Sequence, residues 1–124
     1  MHHVHTIAAP AAGGHYSQGV VHNGFVFVAG QLPMVPGQKE HRPGSIGEQT
    51  EQALRNVQAI LEAAGSGLER VVQMTIYVSD IAMWSEVNTT YARVMGEYRP
   101  ARAVVPVNEL HYGYGIEIQA IGAV

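Results

Sequence analysis

The fold of this chain is decided by the stretch Val72-Gln73-Met74-Thr75-Ile76-Tyr77-Val78-Ser79, in which apolar and polar side chains alternate. A period of two is typical of a β-strand with one face on a core. The side chains expected on the core face are Val72, Met74, Ile76 and Val78. Helical segments flank this strand on both sides, so the chain is predicted to be an α+β protein.

The helix before this strand has recognisable ends. Ser45 is the expected N-cap, and Glu48, three residues later, completes a capping box. Apolar side chains then recur at helical spacing as far as Gly65, which is placed to act as a glycine C-cap. Asp80 is the expected cap of a second helix, at about 82–98.

The remaining segments predict further strands. Asn23-Gly24 lies between two apolar runs, which indicates a tight hairpin turn. The other predicted strands lie at about 4–7, 102–107 and 115–123. Each helix has one apolar stripe, so both helices should pack on one face of a single sheet. Another subunit is the expected cover of the opposite face, because the chain is short.

Composition excludes several classes of function. The 124 residues contain no cysteine, which excludes disulfides, thiolate nucleophiles and cysteine-bound zinc. The net charge of −3, with scattered Lys and Arg, predicts no nucleic-acid partner. The apolar runs are too short to cross a bilayer and no signal core is visible, so a cytoplasmic protein is expected. No linker or repeat divides the sequence, and a single domain over 1–124 is predicted.

Two charged residues are candidates for chemistry. Arg102 begins a predicted strand, and Glu117 lies between Ile116 and Ile118 in the last strand, on the opposite face from both. A guanidinium can hold a substrate carboxylate in fixed geometry, and a partly desolvated Glu can take a proton from attacking water. Two ordinary roles stay open: a surface carboxylate for Glu117 and a salt bridge for Arg102.

Other residues are more ambiguous. Tyr16 is either a ring packed in a turn or an aromatic pocket wall. Gly30 is either a β-bulge or a place where a ligand approaches the backbone. The histidines show no metal-ligand spacing on a helix, and no nucleotide-binding fingerprint occurs, so neither a metal nor a cofactor is predicted.

Several segments together resemble the Rid family, also called YjgF and labelled endoribonuclease L-PSP. The most specific are Pro100-Ala101-Arg102 and Ile116-Glu117-Ile118-Gln119-Ala120-Ile121. The others follow in the family's order: Gly14-His15-Tyr16-Ser17-Gln18-Gly19, Val28-Ala29-Gly30-Gln31-Leu32-Pro33, Gln52-Ala53-Leu54-Arg55-Asn56-Val57, Tyr77-Val78-Ser79-Asp80 and Val87-Asn88. The resemblance implies a chorismate-mutase-like α+β fold that assembles as a homotrimer, with sites in the clefts between subunits.

The resemblance also implies an activity, the hydrolysis of 2-imino acids, formed from 2-aminoacrylate or 2-aminocrotonate, to 2-keto acids and ammonia. By this comparison Arg102 binds the substrate carboxylate and Glu117 positions and activates water. Tyr16 closes the pocket from a neighbouring subunit, while Gly30 and Asn88 match positions in or near the pocket. The implied partner is a small carboxylate substrate.

The chain departs from the family pattern around the pocket. Ala29 replaces a usual Ser, His15 a usual Pro, and His111 the Pro of a Leu-Pro turn. Ala103 and Val104 stand where a Ser or Thr and a Cys are common. Two alternatives therefore stay open: action on a different enamine from a catabolic pathway, and a trimer that binds a small ligand without catalysis. The charge does not support RNA cleavage, which the family label mentions.

Overall fold

Both α-helices lie on one face of a six-stranded mixed sheet in a computed structural model that describes residues 1–124. The strands are β1 (His2–Val4), β2 (Gly19–His22), β3 (Phe25–Gln31), β4 (Val71–Val78), β5 (Ala101–Pro106) and β6 (Ile116–Ala123). The helices are α1 (Ile46–Ala63) and α2 (Trp84–Met95). The predicted fold class and order of elements are confirmed.

The C-terminal strand lies in the middle of the sheet, whose strand order is β1-β2-β3-β6-β4-β5. Strand β6 pairs antiparallel with both β3 and β4, whereas β5 pairs parallel with β4 after the crossover through α2. The core fills the space between the helices and the sheet. Its fully buried side chains include Leu54, Ile60, Ile76 and Ile118.

The local signals for turns and helix ends are confirmed. Asn23 and Gly24 have φ values of 50° and 81°, as the hairpin between β2 and β3 requires. The Ser45 hydroxyl accepts a hydrogen bond from the Glu48 amide, and the Glu48 carboxylate accepts one from the Ser45 amide. Gly65 follows α1 with φ at 85°, in the left-handed region that suits glycine.

The predicted side-chain alternation of β4 is wrong at one end. Val72 is 45% exposed, whereas Val71 is fully buried. The pairing of β4 with β6 shifts between Val71 and Gln73, which is a β-bulge. One extra residue in a strand reverses the faces of the side chains that precede it, so Val71 takes the core position expected for Val72.

Two other boundaries also differ from the prediction. The second helix is shorter, because a 3₁₀ turn (Ile81–Met83) precedes α2 and Gly96, with φ at 67°, ends it. The carboxylate of Asp80 therefore caps the 3₁₀ turn, accepting from the Ala82 amide at 2.9 Å. The first strand ends at Val4, since the Thr6 amide donates to the side chain of Gln18 at 2.8 Å and leaves the ladder.

The sheet face opposite the helices is apolar and uncovered in the single chain. On β3, Val26 and Val28 are buried under the helices, while Phe25 and Phe27 are exposed on the other side. Phe27 pairs across the sheet with Ile121 of β6, which extends the apolar surface. This arrangement agrees with the expectation that two helices cover only one face.

Asn56 joins α1 to the segment that follows β3. The side chain is buried, and its amide group donates to the carbonyls of Leu32 at 3.0 Å and Met34 at 2.8 Å. Its own carbonyl accepts from Gln52 at 3.0 Å. A segment without secondary structure thereby satisfies its backbone acceptors in the protein interior.

Replacing Asn56 tests this interaction. We expect Asn56→Ala to lower the free energy of unfolding by about 1–3 kcal/mol, because two buried carbonyls lose their donor. Urea denaturation measures the change. Gln58→Ala is the matched control, because Gln58 is bonded only to the surface side chains of Arg55 and Glu62 and should change stability little. Equal losses in the two variants would contradict the assignment.

Candidate active site

The predicted site residues lie in two separate clefts of the chain. One cleft, of about 470 Å³, is lined by Glu117, Gly30, Ala29 and Tyr16. The other, of about 350 Å³, is lined by Arg102 and Asn88. These two groups account for every predicted site residue except Val104. We describe the first as the Glu117 cleft and the second as the Arg102 cleft.

Glu117 lies on the helix-free face of the central strand. Its neighbours Ile116 and Ile118 are fully buried on the opposite face, as the alternation predicts. The Glu117 side chain is half-buried, and its cross-strand partner is Tyr77 of β4. None of the ion pairs in the chain includes this carboxylate, so it is free to meet a ligand or water.

Gly30 allows the Glu117 carboxylate to lie against the backbone of β3. A Cβ atom at position 30 would come within 2.2 Å of Oε2 of Glu117. The pairing of β3 with β6 also shifts between Val28 and Gln31, so this glycine lies in a bulge. The bulge is therefore present, and the group that approaches the glycine is a side chain of the same protein; close approach of a ligand stays a prediction.

Buried amide side chains fix two other segments around the Glu117 cleft. Gln18 donates to the carbonyls of Thr6 at 3.0 Å and Pro10 at 2.8 Å, which anchors the N-terminal segment. Gln49 of α1 accepts from the Gly115 amide at 2.8 Å, which anchors the segment before β6. Buried hydrogen bonds of this kind hold irregular segments in one conformation.

Tyr16 lies in a turn at the mouth of the same cleft. Its hydroxyl accepts from the Gly13 amide at 3.2 Å, and its ring is about half exposed. The ring therefore serves as a cleft wall and is not packed in the core. Tyr16 and Glu117 line the same cleft within one chain. The prediction that Tyr16 closes the pocket from a neighbouring subunit can therefore apply only with respect to Arg102, which lines the other cleft.

An aromatic cluster closes one side of the Glu117 cleft. The ring of Tyr112 stacks on His41, with centroids 3.8 Å apart and planes at 6°. Tyr114 contacts His41 edge-on at 5.8 Å, and its hydroxyl lies 3.3 Å from Nδ1 of His41. Burial raises the pKa of Tyr114, so its hydroxyl stays protonated near neutral pH. The sequence singled out the preceding residue, His111, as a departure from the family pattern but carried no signal that His41 contacts Tyr112.

Arg102 is held by two residues of α2. Its Nη1 donates to Oδ1 of Asn88 at 2.9 Å, and its guanidinium carbon lies 4.8 Å from the centroid of the Tyr91 ring. This is a cation–π arrangement. Burial raises the pKa of the Tyr91 hydroxyl, although the nearby Arg102 cation acts to lower it. Tyr91 was missed from the sequence, though its position one turn after Asn88 on a helix could have indicated it.

The salt bridge considered for Arg102 is not formed. No carboxylate lies within ion-pairing distance of the guanidinium, which is exposed. Val104, the other predicted residue of β5, packs against the hydrophobic core and does not line either cleft. Arg102 therefore has a neutral acceptor and a ring as neighbours, and its charge is available to an external anion.

The sheet separates Arg102 from Glu117. Arg102 pairs with Met74, whose side chain lies in the core under the helices, so Arg102 lies on the helix side. Glu117 pairs with Tyr77 on the other side. A single chain therefore does not bring together the two residues expected to act as a pair.

The chain has neither a cluster of metal-ligand side chains nor a membrane-spanning helix. Nowhere in the chain do three or more His, Cys, Asp or Glu side chains come together in a way that could hold a metal ion. Neither helix is long and apolar enough to cross a membrane.

Comparison with known proteins agrees with the α+β fold. The sequence model of the family described as endoribonuclease L-PSP matches residues 6–124. A RutC family protein of Pyrococcus horikoshii is 42% identical over 95% of this chain and 94% of its own length. The 2-iminobutanoate/2-iminopropanoate deaminase of Bos taurus is 40% identical over 95% of this chain and 86% of its own length.

Solved structures support the same assignment. The YjgF gene product of Escherichia coli superposes with a TM-score of 0.93 at 36% identity, over 99% of this chain and 98% of that chain. The chain belongs to the endoribonuclease L-PSP family, which confirms the resemblance found in the sequence. The family includes relatives named as imine deaminases and others named only by family.

Replacing Gly30 tests the packing of Glu117. We expect Gly30→Ala to displace the Glu117 carboxylate, because the added Cβ would overlap it. The free energy of unfolding should change by less than about 1 kcal/mol, since the displaced group is the end of a flexible side chain. A crystal structure and urea denaturation measure the two effects. Gly13→Ala is the control, as its Cβ would meet nothing within 4 Å; an unmoved carboxylate in Gly30→Ala would refute the prediction.

Proposed function

We propose that this protein hydrolyses 2-imino acids to 2-keto acids and ammonia, in sites where Arg102 of one copy meets Glu117 of another copy. The observation that carries the proposal is the uncompensated guanidinium of Arg102, held by Asn88 and Tyr91 with no carboxylate of its own. Relatives at 40% identity that are named 2-iminobutanoate/2-iminopropanoate deaminase support the reaction.

The assembly we propose is a homotrimer with cyclic symmetry. The helix-free face of each subunit carries exposed Phe25 and Phe27, and an apolar sheet face of this kind is stabilised by burial against another copy. Glu117 lies on that same face. Arg102 lies in the edge strand β5, on the helix side of the sheet. Packing the β5 edge of one subunit, which carries the Arg102 cleft, against the open face of the next brings the two clefts together.

In this arrangement Arg102 recognises the carboxylate of the substrate. Its guanidinium has planar donors that match a carboxylate in a two-bond geometry, and only one of its nitrogens is bonded to Asn88. The Tyr91 ring below limits the directions in which the guanidinium can turn. Substrate binding therefore fixes the position of the imine carbon relative to the carboxylate.

Glu117 then acts on water. The carboxylate takes a proton from a water molecule as the oxygen attacks the carbon of the protonated imine, which gives a neutral tetrahedral amino alcohol. Glu117 then gives this proton to the amino group and returns to its carboxylate form, and ammonia leaves as the hydroxyl group loses its own proton to solvent and becomes the carbonyl of the keto acid. Tyr16 and Ala29 line the cleft around this carbon. Ala29 supplies no hydroxyl, so water activation in this chain depends on Glu117.

Removing each charged group tests the reaction. The substrates 2-aminoacrylate and 2-aminocrotonate are generated in the assay by a PLP-dependent dehydratase, and release of keto acid is followed. We expect Glu117→Gln to reduce kcat by about 10²–10⁴-fold, the usual contribution of a general base. Arg102→Ala should reduce kcat/KM by about 10- to 100-fold, the value of a charged hydrogen-bonding partner. Undiminished rates in either variant would remove the role assigned to that residue.

Mixing the two variants of reduced activity tests whether sites form between subunits. Random reassembly of equal amounts of Arg102→Ala and Glu117→Gln chains in a cyclic trimer should restore about a quarter of wild-type activity, because each mixed trimer holds one intact site. Each variant reassembled alone is the control. A site contained within one chain would give no recovery, since every chain lacks one of the two groups.

A trimer that binds a small ligand without catalysis predicts a different result. Such a protein would bind pyruvate in an Arg102-dependent manner and accelerate none of the imine reactions. Calorimetric titration of pyruvate into wild-type and Arg102→Ala protein separates this alternative from the hydrolase.

A further inference from the structure

Tyr112 has a strained backbone next to the Glu117 cleft. Its φ and ψ are 62° and 22°, in the left-handed region that bulky side chains rarely adopt. The following residue, Gly113, also has a positive φ, of 76°. A strained residue persists only where surrounding contacts hold it, and such residues concentrate at functional sites.

The contacts that hold Tyr112 cover one face of its ring. His41 stacks on that face at 3.8 Å, and Tyr114 lies edge-on to Tyr112 at 6.5 Å. The side chain is nevertheless 57% exposed and lines the Glu117 cleft. His111 also lies beside the ring, tilted by 44° with the ring centroids 5.6 Å apart, and more than half of Tyr112 stays exposed. A ring that is packed on one face and still largely accessible can stack on another flat group.

The rest of the cleft fits an apolar extension of a substrate. Leu32 and Met34 line it, held in place by Asn56, and Tyr16 provides a second aromatic wall. No Lys or Arg is among the lining residues, so the cleft offers no cation to a second carboxylate. Its volume of about 470 Å³ lies in the usual range of small-molecule sites, so a side chain larger than a methyl group can be accommodated.

We propose that Tyr112, stacked on His41, binds the ring of an aromatic side chain and so directs this protein toward 2-imino acids derived from aromatic amino acids. The inference rests on the proposed imine hydrolysis, and it names the substrate class for that same site. In this arrangement the carboxylate lies at Arg102, the imine carbon near Glu117, and the aryl ring against the exposed part of the Tyr112 ring.

The experiment compares two imines made in the assay by an amino-acid oxidase, one from phenylalanine and one from alanine. We expect the wild-type kcat/KM for the phenylalanine-derived imine to equal or exceed that for the alanine-derived imine. Tyr112→Gly should lower this ratio by about tenfold, through loss of a stacked aromatic contact and of buried ring area. Glycine suits the positive φ at this position, so the variant should fold.

Two further variants separate recognition from a structural role. Tyr112→Phe keeps the ring and should retain the wild-type ratio. His41→Ala removes the packing behind the Tyr112 ring and should lower the ratio, because the ring is no longer held in one orientation. A ratio that Tyr112→Gly leaves unchanged would overturn the proposal, as would a wild-type enzyme that prefers the small imine by tenfold or more.

A binding measurement keeps this inference distinct from the hydrolase proposal. Phenylpyruvate and pyruvate carry the same 2-keto carboxylate and differ in the aryl group. Tighter binding of phenylpyruvate, lost in Tyr112→Gly, would support the aromatic site even if wild-type protein hydrolysed neither imine and the proposed function failed. Equal affinity for the two keto acids in wild-type protein would refute the aromatic site whether or not imines are turned over.

Discussion

The pairing of β6 on both of its edges is the constraint on which the rest of the structure depends. The last strand of the chain enters the sheet between β3 and β4, so the elements at the two ends of the sequence form one hydrogen-bonded ladder. Its isoleucines must face the core, because burial of apolar surface is the main stabilising term. The period of two then leaves Glu117 on the opposite face. Burial of the isoleucines in the core therefore also fixes the position of this carboxylate.

Buried side-chain amides hydrogen-bond the backbone of the irregular segments, as neighbouring strands hydrogen-bond the backbone of each strand. Gln18, Gln49 and Asn56 each hydrogen-bond the backbone of a segment bordering the Glu117 cleft. An amide carries both donors and an acceptor, so one side chain can satisfy several backbone groups that water cannot reach. The cleft is shaped by segments with few backbone bonds of their own, and it keeps its form because three buried side chains, two of them from α1, hold these segments.

The two charged groups lie on opposite faces of the sheet because they belong to different packing environments. Arg102 lies with the helices, supported by Asn88 and Tyr91, while Glu117 lies on the open face. In the proposed assembly, one contact between subunits covers the apolar face that the fold leaves exposed and also completes the site. Activity is then tied to assembly, and a free subunit holds the two groups apart. In the proposed aromatic site, the strained Tyr112 adds selectivity for the substrate, while Arg102 and Glu117 carry the chemistry.

Much of this protein was determined by local pattern in the sequence alone: the element order, the capping box at Ser45, the hairpin at Asn23-Gly24 and the face of Glu117. Such features depend on a few neighbouring residues and on fixed backbone periods, which can be recognised without knowing the fold. Tertiary structure decided what depends on distant partners. The pairing of β4 with β6 contains a bulge, so Val71 takes the core position expected for Val72. The stacking of His41 on Tyr112, and the separation of Arg102 from Glu117, follow from how the sheet and its connecting segments pack together, and no local period encodes such contacts.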